Sequence, residues 1–404
     1  MYDLLTGVRV VELASFVMMP AAGSMLADWG ADVIKIEPPT AGDPWRRTGM
    51  MIGSVEIAGI PVSPQVEIAN RGKRSVGLDI TVDEGRDILY KLLENADVFT
   101  TNLLGATRVK LGVDLDSVRR VNPRVVYVSG SGNGVKGPEG HRGGFDIASH
   151  WSRSGIADRM TVGDAEPPTQ PGSVGDLTSG LATAGAIAAA LFKRERTGVA
   201  PSVEVALYAM GMWTMTQSIT ASSLGIGGFA YGGRQASPNP LTMLYQTRDK
   251  RWLCLTLLQG DKWWPDFREH LGIPDDPRFR DNEGRLANRD ECVALIEAAF
   301  AQKTLAQWRE DLADLEGVWA PVLSVDEVLE DPQALANNFI TEVEVAPGES
   351  YRGVATPAQF DGQPPGHLRR APLHCEHTDE ILREIGLDDA KIESLKKREI
   401  VRTA

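Results

Sequence analysis

The chain predicts an α/β fold built on a mainly parallel sheet, with a second, smaller domain. Three observations carry that prediction. Short apolar runs alternate with helical stretches through the first 130 residues. At 404 residues, 42% of them hydrophobic, the chain exceeds one ordinary domain and can bury a substantial core. Near residue 225 the composition shifts: five glycines crowd a short span, and an aromatic-rich segment follows.

Taken in order, Val8–Leu13, Val33–Glu37, Ser75–Ile80, Asp97–Asn102 and Val125–Ser129 read as short, buried strands. Ala21–Trp29 and Asp83–Glu94 read as helices between them, the second opened by the capping box Thr81-x-x-Glu84. Strand and helix in alternation imply parallel pairing with helices on both faces, and ligands at the carboxyl ends of the strands. A long helix of small apolar residues, Leu177 to Phe192, follows a Gly/Ser-rich loop and ends at Thr197-Gly198. Ser202–Val205 reads as a further strand, then an apolar helix through Met210 and Trp213. The span Gly225–Gly233 is too glycine-rich for a regular element. Met243–Tyr245 and Trp252–Leu257 read as a hairpin, before helices carrying Trp263, Trp264, Phe267, Phe300 and Trp308. From about Val322 the chain reads as Pro/Gly-rich loops and a terminal helix capped at Thr378. The expected division is residues 1–205 with 325–404, a linker helix over 206–224, and a small domain over 225–324.

A net charge of −13 argues against general nucleic-acid or membrane-surface affinity, so an anionic ligand requires a local basic pocket. Cys254, Cys292 and Cys375 lie far apart, without CxxC spacing, which suits a reducing compartment. The Leu177–Phe192 stretch is too short and too rich in Gly, Ala and Thr to span a bilayer. With no N-terminal signal segment, the expectation is a cytoplasmic protein.

Asp176 stands where the loop Pro171–Gly175 meets the long helix. Asp is a favoured N-cap residue, because its side chain accepts first-turn N–H groups. A nucleophile or base is the other reading. Gly132-Asn-Gly-Val-Lys-Gly137 matches GxGxxG after a strand, but Pro138–Gly144 continues as loop where a dinucleotide site requires a helix. Basic residues gather at Arg71, Lys73 and Arg74, then Arg108 and Lys110, then Lys136 and Arg142, either as a solvated face or as an anion pocket. His374-Cys-Glu-His377 matches no standard zinc spacing, and no metal site is expected.

Several segments together resemble the class III CoA-transferase family, which includes formyl-CoA and carnitine CoA-transferases and the α-methylacyl-CoA racemases. They are Leu26–Glu37, Asn70–Ser75 with Leu78-Asp79, Asn122–Arg124, Gly143–Asp146, Gly175-Asp176, Arg194–Gly198, Asn239-Pro240 and Glu376–Leu382. The resemblance runs in order along nearly the whole chain. It implies a Rossmann-like large domain containing both termini, an inserted smaller α/β domain, and two subunits interlocked as a homodimer. It implies coenzyme A as substrate and product, a carboxylic acid as partner, and no metal. Asp176 matches the family's catalytic carboxylate, and Asp146 a carboxylate near the site, although a loop-capping Asp explains Asp146 equally well. CoA-binding segments map onto Leu78, Asp79, Ile80 and Thr81, onto Asn102, Leu103 and Leu104, onto Lys110, and onto Arg142, Gly143, Gly144 and Phe145. The Gly225–Gly233 span is the candidate lid over a water-sensitive intermediate.

The racemase branch carries His where this chain has Phe145, and phenylalanine cannot move a proton. Transferase is therefore the expected activity, with a racemase and a non-catalytic CoA-binding protein as the alternatives. Val17 replaces the Gln of the formyl-CoA branch within an apolar stretch, Phe16–Pro20. That stretch, the methionines and the aromatic small domain suggest a bulkier, partly apolar acyl group.

Overall fold

The computed structural model describes residues 2–47, 53–226 and 237–404. Two compact units emerge: Met1–Ala157 with Thr169–Ser223 and Gln333–Ala404, and Asp158–Pro168 with Leu224–Pro332.

The larger unit is built on a seven-stranded sheet. Its strands are β1 (Arg9–Leu13), β2 (Asp32–Glu37), β3 (Arg74–Leu78), β4 (Val98–Thr101), β5 (Val126–Ser131), β6 (Ser202–Ala206) and β7 (Val401–Arg402). The spatial order is β7-β3-β2-β1-β4-β5-β6. β1 to β6 pair in parallel, and β7 adds an antiparallel edge through Val401 opposite Leu78. The order reverses at β1, which has β2 on one side and β4 on the other. A crevice at the carboxyl ends of β1 and β4 follows from that reversal.

Side chains alternate across the sheet with period two. Val10, Val33, Val98, Val126 and Val128 face helices α1 (Met18–Asp28) and α4 (Val174–Thr197). Val11, Ile34, Ile36, Val76, Phe99 and Tyr127 face the other layer, which includes α2 (Asp83–Glu94) and the C-terminal helices α6 (Thr378–Glu384) and α7 (Asp389–Lys397). Each face of the sheet therefore has its own core, which is why the strands read as continuous apolar runs.

At 24 residues α4 is long and apolar enough to cross a membrane by length and composition, so the expectation that it is too short fails. In this fold it is a core helix. Its Gly180 lies against α1 so closely that a Cβ there would come within 2.8 Å of the Ala21 methyl.

Other expectations need correction. Thr81 does not cap α2: the helix starts at Asp83, and both the backbone N–H and the hydroxyl of Thr81 donate to Asp79. Thr378 is the first residue of α6, not its cap, and its hydroxyl accepts from Gly77 N–H of β3. The region after residue 322 is not all loop, since Ile340–Ala346 and Glu349–Val354 form an antiparallel hairpin. Residues 206–224 hold two helices, α5 (Leu207–Thr214) and Thr216–Ser223.

In the smaller unit Leu244–Gln246, Trp252–Leu255 and Trp319–Pro321 form a three-stranded antiparallel sheet. Trp264, Phe267, Phe300 and Trp308 pack in its buried core, where the Trp308 indole donates to the Phe300 carbonyl. Those rings therefore stabilise this unit, and they lend no support to an apolar substrate. Of the glycine-rich span, residues 227–233 lie outside the described residues.

Candidate active site

A cavity of about 330 Å³ opens at the carboxyl ends of β1, β4 and β5, where the strand order reverses. Its floor is fixed by a reciprocal pair of bonds across the crevice. Ser15 N–H donates to the Asn102 side-chain carbonyl at 3.0 Å, and the Asn102 amide donates back to Ser15 C=O at 2.7 Å. Phe16 follows with φ +66°, a left-handed conformation costly for a residue with a bulky side chain. Its N–H donates to Asp43 at 3.1 Å, and its ring meets Phe145 edge to face at 5.2 Å.

Asp43 belongs to a buried charge network. Lys35 pairs with Asp43 at 2.9 Å and with Glu12 at 3.1 Å, and Lys73 reaches Glu12 at 2.7 Å. Lys35, Glu12 and Lys73 are all buried. Burial, the largest effect, disfavours both ammonium groups. The carboxylates around Lys35 reverse this and raise its pKa, whereas Lys73 is pushed down to about 7. The network thus ties β1, β2 and the segment before β3 to the backbone that presents Phe16.

Asp176 lines the cavity from the first turn of α4. It is not the cap: Ser173 holds that position, at φ +59° and without a capping side-chain bond. Nor does the helix dipole hold Asp176 in the usual carboxylate range. Burial, and secondly the charge of Asp146, push it up to about 7. Desolvation therefore outweighs the dipole here.

Asp146 is buried behind this wall, with one oxygen accepting its own helix's Ile147 N–H at 2.8 Å. Its other oxygen has no hydrogen-bond partner among the described residues. His150 and Gln170, also buried, interact with each other through their side chains. His150 lies in the irregular helical turn Ile147–Ser152, and burial lowers its pKa against the opposing effect of Asp146.

Of the expected site residues, Asn102, Leu103, Leu104, Arg142, Gly143, Gly144 and Phe145 come together with Asp176 on the cavity wall. The Gly143-Gly144 loop folds back on the end of β5, where a Cβ on Gly132 would come within 2.6 Å of Gly144 Cα. Leu78, Asp79, Ile80 and Thr81 are not on this wall. Leu78 and Ile80 are in the core beneath α2, and Asp79 is engaged by Thr81. Lys110 is exposed on helix α3 (Gly105–Leu111) and also stands off the wall, whereas Arg108 lines it. Residues two apart point to different sides of a helix, so only one of the two can face the crevice. Ser15, Phe16, Met18, Gly130 and Leu207 complete much of the wall; Phe16 and Met18 fall in the apolar stretch Phe16–Pro20, and no local motif marks the other three. Val17 is buried against Ala21 and Ala69.

The model of CoA-transferase family III matches residues 5–378. The chain belongs to CoA-transferase family III. It is 32% identical to the (R)-2-hydroxy-4-methylpentanoate CoA-transferase of Clostridioides difficile, over 99% of this chain and 100% of that one. It is 30% identical to the cinnamoyl-CoA:phenyllactate CoA-transferase of Clostridium sporogenes, over 98% and 96%. A solved CaiB/BaiF family protein from Brucella suis superposes with a TM-score of 0.83 at 30% identity, covering 94% of this chain and 99% of that one.

Family III CoA-transferases act on CoA thioesters, and among the described residues this cavity has the Asp176 carboxylate with two guanidinium groups, Arg108 and Arg142, on the same wall. Arg108 donates weakly to the Tyr127 hydroxyl at 3.4 Å, and Arg142 pairs loosely with Glu139 at 3.3 Å. Both retain donors for phosphate oxygens. Cβ atoms on Gly130, Gly132 and Gly144 would run into Met19, Gly144 and Ser149, so these glycines let the wall itself pack tightly, and a Cβ on Gly143 would meet open space. The residues present fit a CoA thioester.

Proposed function

We propose that the enzyme moves CoA from an acyl-CoA to a carboxylic acid, with Asp176 as the covalent nucleophile. The observation that carries this is one carboxylate in the cavity wall, on the first turn of a long helix, beside apolar and cationic wall residues. The Asp176 carboxylate attacks the thioester carbonyl, giving a mixed anhydride and releasing CoA thiolate. The thiolate attacks the Asp176 carbonyl, giving an aspartyl-CoA thioester and freeing the donor acid. The acceptor carboxylate then attacks that thioester, and CoA returns to the acceptor's carbonyl. Each step exchanges one activated acyl group for another, so water must be kept out and no metal is required.

In this reading CoA lies along Asn102–Leu104 and Arg142–Phe145, with Arg108 rather than Lys110 as the phosphate partner. The reversal of strand order supports the Rossmann-like description. Phe16, Phe145, Met18 and Leu207 on the wall favour an apolar or aromatic acyl chain. The named substrates of the two bacterial relatives point the same way. Phe145 removes the proton-carrying group that racemisation requires. Exposed Trp213, Leu224 and Ile226 support a homodimer that covers them.

The test is a panel of acyl-CoA donors against aliphatic and aromatic acids, run on wild type and Asp176→Ala. Transfer is expected with apolar acids and is lost, at least about a thousandfold, in the variant, as for removal of a covalent nucleophile. Full transfer by Asp176→Ala would overturn the reading, and α-deuterium exchange without an acceptor acid would favour the racemase.

A further inference from the structure

The helix that carries Asp176 is seated at two places. Gly180 rests on α1, and the first turn rests on a buried imidazole that the transfer steps above do not use. A Cβ on Gly175 would fall 2.6 Å from His150 Cγ, 2.7 Å from its Cβ and 2.8 Å from Nδ1. These atoms are the rooted end of the side chain, so they cannot swing aside. His150 is itself held in place. Its carbonyl oxygen accepts from the Ser154 hydroxyl, and a Cβ on Gly211 of α5 would fall 2.5 Å from that oxygen. Its side chain also meets that of Gln170, in the loop that enters α4. The turn carrying His150 is wide: Arg153 N–H reaches back five residues to Ala148 C=O at 3.1 Å. Such π turns are rare, and they are frequent where a fold places a functional group.

We infer that His150 is a positioning residue: the root of its side chain is the support that fixes where Asp176 stands in the cavity wall. This rests on the reading of Asp176 as the nucleophile. The role is one of shape. His150 does not line the cavity, and it reaches the nucleophile through the backbone of Gly175. Gly175 has no side chain to cushion that contact, so a change in the support passes directly to the next residue. Attack on a thioester carbonyl needs the carboxylate oxygen about 3–3.5 Å from the carbon, and a misplacement of about 1 Å costs about a hundredfold in rate. The same turn also backs other parts of the wall. A Cβ on Gly144 would run into the Ser149 hydroxyl, and α5, which packs on the His150 carbonyl, begins with the wall residue Leu207.

The test is kcat and KM for acyl-CoA in wild type, His150→Ala, His150→Asn, Gly175→Ala and the double variant His150→Ala/Gly175→Ala, with hydroxylamine trapping at Asp176 read by mass spectrometry. Asn reproduces the three His150 atoms nearest Gly175, whereas Ala removes two of them. His150→Ala is therefore expected to lose about a hundredfold in kcat with KM unchanged, and His150→Asn to stay within about threefold of wild type. Gly175→Ala should also lose kcat, because its methyl meets the imidazole. Removing the imidazole makes room for that methyl, so the double variant should turn over at least about threefold faster than Gly175→Ala alone, as for residues in contact. Equal losses in His150→Asn and His150→Ala, or losses that simply multiply in the double variant, would overturn the inference. If His150→Ala fails to fold, Gly175→Ala and His150→Asn decide: full kcat in the first, or a hundredfold loss in the second, overturns it. A trapped Asp176 adduct in wild type leaves the nucleophile standing through any of these outcomes. No adduct in active wild type would instead remove the underlying reading.

Discussion

Asp176 carries opposite demands of stability and chemistry. Its raised pKa means that the folded state binds its proton more tightly than the unfolded chain does. From the ordinary carboxylate range up to about 7, the folded state therefore holds a proton that the unfolded chain releases, and stability falls as pH rises through that window. Asp176→Asn carries no such charge. It is expected to melt above wild type at pH 8, with the gap narrowing towards pH 5, while transfer is lost. Equal melting at both values would show that the carboxylate is not desolvated. The buried charges near Phe16 behave differently, because each ammonium there has named carboxylate partners. Lys35→Met strands Asp43 without its cation while Glu12 keeps Lys73, and the expected cost is about 3–5 kcal/mol in denaturant unfolding. Since Asp43 holds the Phe16 backbone, KM for acyl-CoA should rise in the same variant.

At the scale of elements, α4 against α1 is the contact that sets where Asp176 stands. Gly180 permits it, and Gly180→Val pushes a side chain into Ala21 and the Met18 carbonyl, which lies 3.0 Å from the added Cβ. The expected loss is about 1–3 kcal/mol, read as a lower melting temperature. The same scale shows what the sequence disclosed. β1 to β5 were legible because burial on both faces leaves largely apolar runs such as Val125–Val128. The hairpin Ile340–Val354 was not, because its strands are half exposed and their alternation is diluted by Glu, Ser and Arg. The edge strand β7 spans two residues, too few for any periodicity. Thr81 matched a capping box, yet Asp79, two residues earlier, competes for its hydroxyl and wins. The choice of Arg108 over Lys110 depended on helix phase, and the partnership of His150 with Gly175 is a contact between distant segments. No local pattern encodes either.

For the whole molecule, chain-long family membership shows a CoA-transferase, and the reversal of strand order is where its chemistry is proposed to lie. The proposed homodimer predicts a sedimentation mass twice the 43.8 kDa of the chain, and a monomer at micromolar concentration would contradict it. Covalent transfer through Asp176 makes a further demand on the atoms themselves. When the acceptor acid attacks aspartyl-CoA and CoA then returns to it, one acceptor oxygen stays behind on Asp176. The most direct measurement is therefore the mass of the Asp176 peptide after turnover with an acceptor whose carboxylate carries oxygen-18. Asp176 heavier by one oxygen-18 after a single turnover, and by up to two after many, is the predicted result, and an unlabelled Asp176 after complete transfer would contradict it.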